Sequence, residues 1–165
     1  MMYAKDLGIV VRKIDYGESD EIVHLLCVSE GKLHGIAKGS RASKKRFVNN
    51  LELYNEIDFE YGRKKGRDGG LALIESASLV ASEFSNVDRS YRTSAVAAYL
   101  AEIITTGARE GEADRRLYNV LKRIMAALKT EEPTLTFVAV WLFRVLEAMG
   151  FQPNLSCCCR CSGRC

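Results

Sequence analysis

The chain has 165 residues, 47% of them hydrophobic and 27% charged. That is enough apolar material for a core, too balanced for wholesale disorder, and room for one domain or two small ones. No apolar run approaches the ~18 residues that span a bilayer, and Met1 to Asp6 lacks the layout of a signal peptide, so membrane classes are set aside and the cytoplasm is expected.

The first half alternates short β-branched runs with turns. Leu7–Ile14 reads as a strand, closed by the turn-rich Asp15-Tyr16-Gly17-Glu18-Ser19-Asp20. Glu21–Val28 is a second strand. Ser29-Glu30-Gly31-Lys32 is a hairpin loop with glycine where a positive φ is wanted, and Leu33–Lys38 is a third strand. Leu51–Tyr61 alternates, with Leu51, Leu53, Asn55, Ile57, Phe59 and Tyr61 on one face. Glu52, Tyr54, Glu56, Asp58 and Glu60 fall on the other, which predicts a half-buried strand with an acidic outer side. Gly62–Gly70 is a glycine-rich basic loop, and Leu71–Val80 a fifth strand. Five strands without a long helix fit a small closed barrel of the oligonucleotide/oligosaccharide-binding (OB) type; an SH3-like barrel fits the same pattern.

The charge gathers in this half. Gly31 to Arg67 carries ten Lys/Arg against four Asp/Glu, whereas the remainder carries fourteen against seventeen. The densest run is Lys38-Gly39-Ser40-Arg41-Ala42-Ser43-Lys44-Lys45-Arg46, with five cations, no acid and otherwise small residues. Clustered cations on a small-residue backbone suit a chain of phosphates; a solvated basic loop is the bland alternative. Candidate nucleic-acid contacts are therefore Lys38, Arg41, Lys44, Lys45 and Arg46, with Arg63, Lys64, Lys65 and Arg67 in the second basic loop. Both loops are expected to join neighbouring strands and so to flank one face. Phe47 directly follows three cations and is the candidate base-stacking aromatic, with a core anchor as the competing role. Phe59 and Tyr61 are assigned to the core.

From Ser90 the period changes to helical. Tyr91, Ala95, Val96, Tyr99, Leu100, Ile103 and Ile104 line one side of a helix capped by Ser90 and stopped near Gly107. Asp114–Leu128 follows with Leu117, Leu121, Ile124 and Leu128 at helical spacing. Pro133 opens a third helix with the stripe Leu135, Val138, Leu142, Val145, Leu146 and Met149, ended by Gly150. The polar side, including Lys122 and Arg123, is expected to face solvent. Cations at Arg115, Arg116, Lys122, Arg123 and Arg144 around an apolar notch would suit an acidic, hydrophobic peptide end.

Five of the six cysteines lie between Cys157 and Cys165, which excludes a disulfide framework spread along the chain. Cys158 and Cys161 have C-x-x-C spacing, half of a zinc ribbon at most; a second pair does not follow, and an oxidation-prone tail is the alternative. Catalysis has little support. The two histidines, His24 and His34, have no Ser/His/Asp setting, no P-loop occurs, and the C-x-x-C lacks a thioredoxin-like βαβ context.

The runs Asp15–Asp20, Gly31-Lys32-Leu33, Ala37-Lys38-Gly39-Ser40-Arg41, Leu51-Glu52-Leu53, Ile74-Glu75-Ser76-Ala77, Tyr99-Leu100-Ala101-Glu102, Phe143-Arg144-Val145-Leu146 and Gly150–Leu155 occur in an order and spacing that resembles the RecO family of bacterial recombination mediators and DNA-repair proteins. The resemblance implies an α+β chain: an OB-fold barrel (1–82), a small helical domain (83–155) and a cysteine-rich tail (156–165) that is a truncated zinc module. It implies no catalysis and no required cofactor, with zinc at Cys158 and Cys161 possible in principle. It implies binding of single- and double-stranded DNA and annealing of complementary strands. The implied partners are RecR, the C-terminal tail of the single-strand-binding protein and, indirectly, RecA, all at the nucleoid. It makes Lys38 and Arg41 DNA contacts. The chain departs from the family in lacking the second cysteine pair and the further C-terminal helical region. The competing reading is a non-catalytic adaptor that binds proteins only.

Overall fold

The computed structural model of the chain describes residues 2–43, 45–47, 49–63, 70–82, 90–151, 156–158, 160–161 and 163. Five strands come first: β1 (Met2–Tyr16), β2 (Asp20–Cys27), β3 (Gly31–Ala37), β4 (Glu56–Arg63) and β5 (Ala72–Ala81). Three helices follow: α1 (Tyr91–Gly107), α2 (Arg115–Thr130) and α3 (Leu135–Ala148).

The strands close into a barrel in the order β1-β2-β3-β5-β4, with β4 pairing back onto β1. All pairs are antiparallel except β3 with β5. This is the OB-fold arrangement, not the SH3-like one. Period-two alternation points Val10, Val23, Leu25, Leu33, Ile57, Phe59 and Ile74 inward, where they form the barrel core. β1 begins five residues earlier than Leu7, because its exposed first turn of chain pairs along the length of β4.

Two expectations about β4 need correction. Residues 51–55 are turns, not strand, and Leu53 is exposed. Tyr54 and Glu56, assigned to the outer acidic side, are both buried. The outer side of the barrel here meets the helices, not water. Tyr54 adopts φ +66°; its N–H donates to Val10 O at 2.7 Å, and Val10 N–H donates to the next carbonyl, Asn55 O, at 3.0 Å.

The helices begin on side-chain caps. Ser90 Oγ accepts from Thr93 N, Asp114 accepts from Arg116 N and Leu117 N, and Thr134 Oγ1 accepts from Phe137 N. Leu100, Ile104, Leu117, Leu121, Ile124, Leu128, Phe137 and Val145 form a second core with Ile9, Leu26 and Tyr54 of the barrel. The bundle is therefore built against the outer surface of β1 and β2. The expected α3 stripe is buried only in part. Val145 is enclosed, but Leu135 is 91% exposed and Leu146 is also exposed; beside the stripe, Val140 and Phe143 are exposed too.

Glycine matters most at Gly31. Its φ is +61°, and a Cβ there would lie 2.0 Å from Glu112 O and 2.6 Å from Arg109 O. The β2–β3 hairpin tip thus packs backbone to backbone on the α1–α2 connection, where Lys32 N–H donates to Arg109 O at 3.0 Å. Asp6, itself buried, secures the other side of this hairpin by accepting from the N–H groups of Ser29 and Glu30.

A second fastening joins barrel to bundle. Glu56 accepts from Tyr118 Oη at 2.6 Å, and Lys122 Nζ lies 2.9 and 2.8 Å from its two carboxylate oxygens. Burial first, and then the bond to Glu56, push the Tyr118 phenol pKa up. Lys122 is thus tied into a contact between the halves, contrary to the expectation that it faces bulk solvent. Arg123 is exposed as expected.

Candidate nucleic-acid interface

The basic run leaves the end of β3 as a folded loop. Gly39 N–H donates to Asp20 Oδ1 at 2.8 Å, and Arg41 N–H donates to Ser19 O at 3.1 Å. Ser43 N–H donates to Ser40 O, and Arg46 N–H to Ser43 Oγ. Arg46 then bonds Lys38 O through Nη2 at 3.0 Å, and its carbonyl accepts from Ala77 N on β5 at 3.0 Å. The turn Asp15–Asp20 and the run Ala37–Arg41 therefore meet: the acidic turn supplies acceptors for the backbone of the basic loop.

This leaves the cations outside. Lys38, Arg41, Lys45 and Arg46 are exposed on one loop; Lys44 lies outside the described residues. Arg41 faces Asp15 at 3.7 Å, with both side chains about half exposed or more. Such a pair is worth ~0–1 kcal/mol, so a phosphate can displace it at little cost.

Phe47 corrects an expectation. It is 3% exposed and belongs to the barrel core, with the Arg46 guanidinium 5.2 Å from its ring centroid. A ring enclosed by Leu51, Phe59 and their neighbours cannot stack on a base, so the core-anchor alternative holds. Its place after three cations reflects where the loop re-enters the barrel.

The second basic loop is placed differently from expectation. β5 lies between β3 and β4, so the first loop joins strands that are not neighbours. β3 and β4 run in opposite directions, and the two loops leave opposite ends of the barrel. Arg63, at the end of β4, is half-buried, lies 2.9 Å from Glu30 and stands over Tyr61 at 5.7 Å. It fastens the β2–β3 hairpin and is not grouped with Lys38 and Arg41. Lys64, Lys65 and Arg67 lie outside the described residues.

Ser40 sits under this loop, 7% exposed, and its hydroxyl has no hydrogen-bond partner among the described residues. A buried, unpaired hydroxyl destabilises the fold by ~1–3 kcal/mol. Ser40→Ala is expected to leave the thermal midpoint unchanged or raise it slightly. A drop of several degrees would show that this hydroxyl has a structural partner.

In the tail, Cys158 N–H donates to Gly163 O at 2.8 Å. Hydrogen bonds from the backbone of Arg160 and Cys161, then from the Cys161 thiol, hold the Cys158 thiol below its usual range. Turn and thiolate suit one half of a tetrahedral zinc site. Among the described residues no group of three or more His, Cys, Asp or Glu side chains gathers to complete it. Cys159 and Cys165 lie outside the described residues. Also among the described residues, no helix is long and apolar enough to cross a membrane.

His24 and His34, which have no catalytic setting in the sequence, are brought together by the fold. They face each other across β2 and β3 with ring centroids 4.1 Å apart and planes 16° from parallel, on the outer barrel face that also leads to Lys38. Strand alternation alone places them outward; that they meet follows from the β2–β3 register.

Two family models match the chain. Recombination protein O N terminal covers residues 1–83, and Recombination protein O C terminal covers residues 89–164. Among named relatives, the DNA repair protein RecO of Syntrophobacter fumaroxidans is 33% identical over 154 residues, covering 93% of this chain and 60% of the relative. That of Anaeromyxobacter dehalogenans is 33% identical over 158 residues, covering 96% and 61%. That of Alkaliphilus metalliredigens is 29% identical over 162 residues, covering 97% and 63%. The chain thus spans about three fifths of the length of the relatives it matches. With an OB barrel, the helical bundle built on it and both family models in sequence, the chain belongs to the RecO family of DNA repair proteins.

Proposed function

We propose that this chain is a non-catalytic recombination mediator that binds single- and double-stranded DNA through the Lys38–Arg46 loop and anneals complementary strands. In this reading it acts with RecR and the C-terminal tail of the single-strand-binding protein to help RecA load, at the nucleoid. The observation that carries it is the loop itself: Lys38, Arg41, Lys45 and Arg46 exposed together at one end of an OB barrel in a RecO-family chain. A backbone held by its own hydrogen bonds presents these charges without an ordering cost on binding. Zinc, if it binds, would use Cys158 and Cys161 as two of four thiolates and would stiffen the tail.

Binding by such a loop is electrostatic and independent of base sequence. If the five cations from Lys38 to Arg46 meet phosphates, log affinity for a single strand falls with log salt at a slope of roughly −3 to −4. Lys38→Ala with Arg41→Ala is expected to weaken binding about tenfold, on the order of 1.4 kcal/mol. The same change at Arg116 and Arg123, both exposed on α2, removes equal charge and should weaken it much less. Fluorescence anisotropy with a labelled single strand, beside a melt of each variant, measures both. Equal losses from the two pairs would show binding by diffuse charge, and a single preferred sequence would contradict the reading outright.

A second reading is favoured by one observation. Leu135, Val140, Phe143 and Leu146 expose apolar surface on α3, as a protein-binding adaptor would. An adaptor alone would show no salt-sensitive oligonucleotide binding.

A further inference from the structure

The outer face of β1–β2–β3 is laid out in rows fixed by register. Arg12, His24 and His34 form one row; Ile14, Ile22 and Ile36 form the next. One row further, Asp20 receives Gly39 N–H where β3 runs out into Lys38. Beyond the histidine row the face does not open to water. Helix α1 stands over it, and between them lies a groove of ≈ 660 Å³ walled by Glu102 and Thr105 of α1 and floored by Arg12, Lys32, His24 and His34. Lys32 Nζ bonds Thr105 O at 3.2 Å and so stays at the groove floor.

Two cations and two imidazoles face one carboxylate, Glu102, and the Tyr54 side chain is the remaining titratable group on the wall. The balance favours an anion. Burial first, then His34, Arg12 and Lys32, lower the His24 pKa, so the imidazole is predominantly neutral at pH 7. The two rings stack 4.1 Å apart, so a charge on one would repel a charge on the other.

We propose that this groove seats a phosphodiester of the bound single strand on Arg12, Lys32 and the His24–His34 pair, and that seating it takes up one proton. The inference rests on the DNA-binding reading of the Lys38–Arg46 loop and extends the same strand across the sheet. Lys38 lies four positions beyond His34, about 13 Å at strand rise. That lies well within the ~4–16 nucleotides one OB fold covers. A neutral imidazole offers one N–H; protonation adds a second donor and a charge that the phosphate stabilises. The phosphate therefore raises the His24 pKa, and affinity increases as pH falls through the window between its free and bound values. A DNA strand is favoured over an acidic peptide because the histidine row leads by register, across the Ile14, Ile22 and Ile36 row, to the basic loop at the end of β3.

The test is anisotropy with a labelled oligothymidylate from pH 8 to 5.5 at constant salt, on the whole chain. Wild-type affinity is expected to rise about three- to tenfold on acidification, since one proton gives at most tenfold per pH unit. His24→Gln with His34→Gln should flatten that rise. Glu102→Gln should tighten binding about two- to fivefold, the worth of one partly screened charge, which a misfolded variant would not do. The oligonucleotide should also raise the midpoint of the histidine ring-proton titration followed by NMR. Equal pH slopes in wild type and the double-histidine variant, with binding still lost on Lys38→Ala and Arg41→Ala, would overturn this inference and leave the loop reading standing. A polyglutamate peptide that shifts the histidine midpoint when oligothymidylate does not would reassign the groove to proteins. Absence of salt-sensitive binding at every pH would overturn both readings.

Discussion

Gly31→Ala is expected to destabilise the protein by about 3 kcal/mol or more. Two costs add. An alanine at φ +61° carries ~1–2 kcal/mol of left-handed strain. Its Cβ would also lie 2.0 Å from Glu112 O and 2.6 Å from Arg109 O, both backbone atoms that no rotamer change can clear. The hairpin must lift off the α1–α2 connection, losing the bond from Lys32 N–H to Arg109 O. At this chain length, about 3 kcal/mol corresponds to roughly 6–12 °C in melting temperature. Gly17 supplies the comparison. Its φ is +64°, but nothing lies within 4 Å of the position a Cβ would take. Gly17→Ala should therefore show the strain cost alone. Equal losses from the two substitutions would mean that the close approach at Gly31 has no energetic consequence.

The second large effect is expected at the fastening between β4 and α2. Glu56→Ala should cost about 2–3 kcal/mol. It leaves the Tyr118 hydroxyl, buried with its residue only 5% exposed, without the acceptor it reaches at 2.6 Å. An orphaned buried hydroxyl costs ~1–3 kcal/mol. Lys122 adds less than a buried partner would, because 43% of its side chain is exposed and the ammonium regains water. Tyr118→Phe removes the other half of the bond. Denaturant unfolding of the two single variants and the double variant forms a cycle whose coupling term should reach at least ~1 kcal/mol. Additive losses would show that carboxylate and phenol act independently. A simple helix-surface lysine would instead make Lys122→Ala nearly silent, and its bond to a buried carboxylate argues against that.

These two positions also mark where reading the sequence stops. The strands, the three helices, the Ser90 cap and the basic loop are legible because each depends on neighbours in sequence. Side-chain periods of two and 3.6, capping geometry and charge density are local properties. The barrel was legible as a class for the same reason: five short strands in about eighty residues leave few ways to bury their inner faces.

What faces the outside of a strand is another matter. Alternation separates two faces but cannot say whether the second meets water or a helix some sixty residues later. Glu56 and Tyr54 looked solvent-facing by period and are buried by tertiary packing. Lys122 looked like a solvated helix cation and is drawn to Glu56 by the same packing. Phe47 looked available for stacking and is a core residue, because where the loop turns back into the barrel depends on β5 sliding between β3 and β4. That insertion rests on a parallel pairing of distant segments, which local patterning does not encode. His24 read as a strand residue and His34 as a neighbour of the basic loop; only the β2–β3 register and the helix above them make a walled, cationic groove. Local patterning was enough to give the order and kind of the elements and the place where positive charge gathers. Which outer faces are covered emerges only in the folded chain, because burial is a property of the whole chain's packing and not of any one segment.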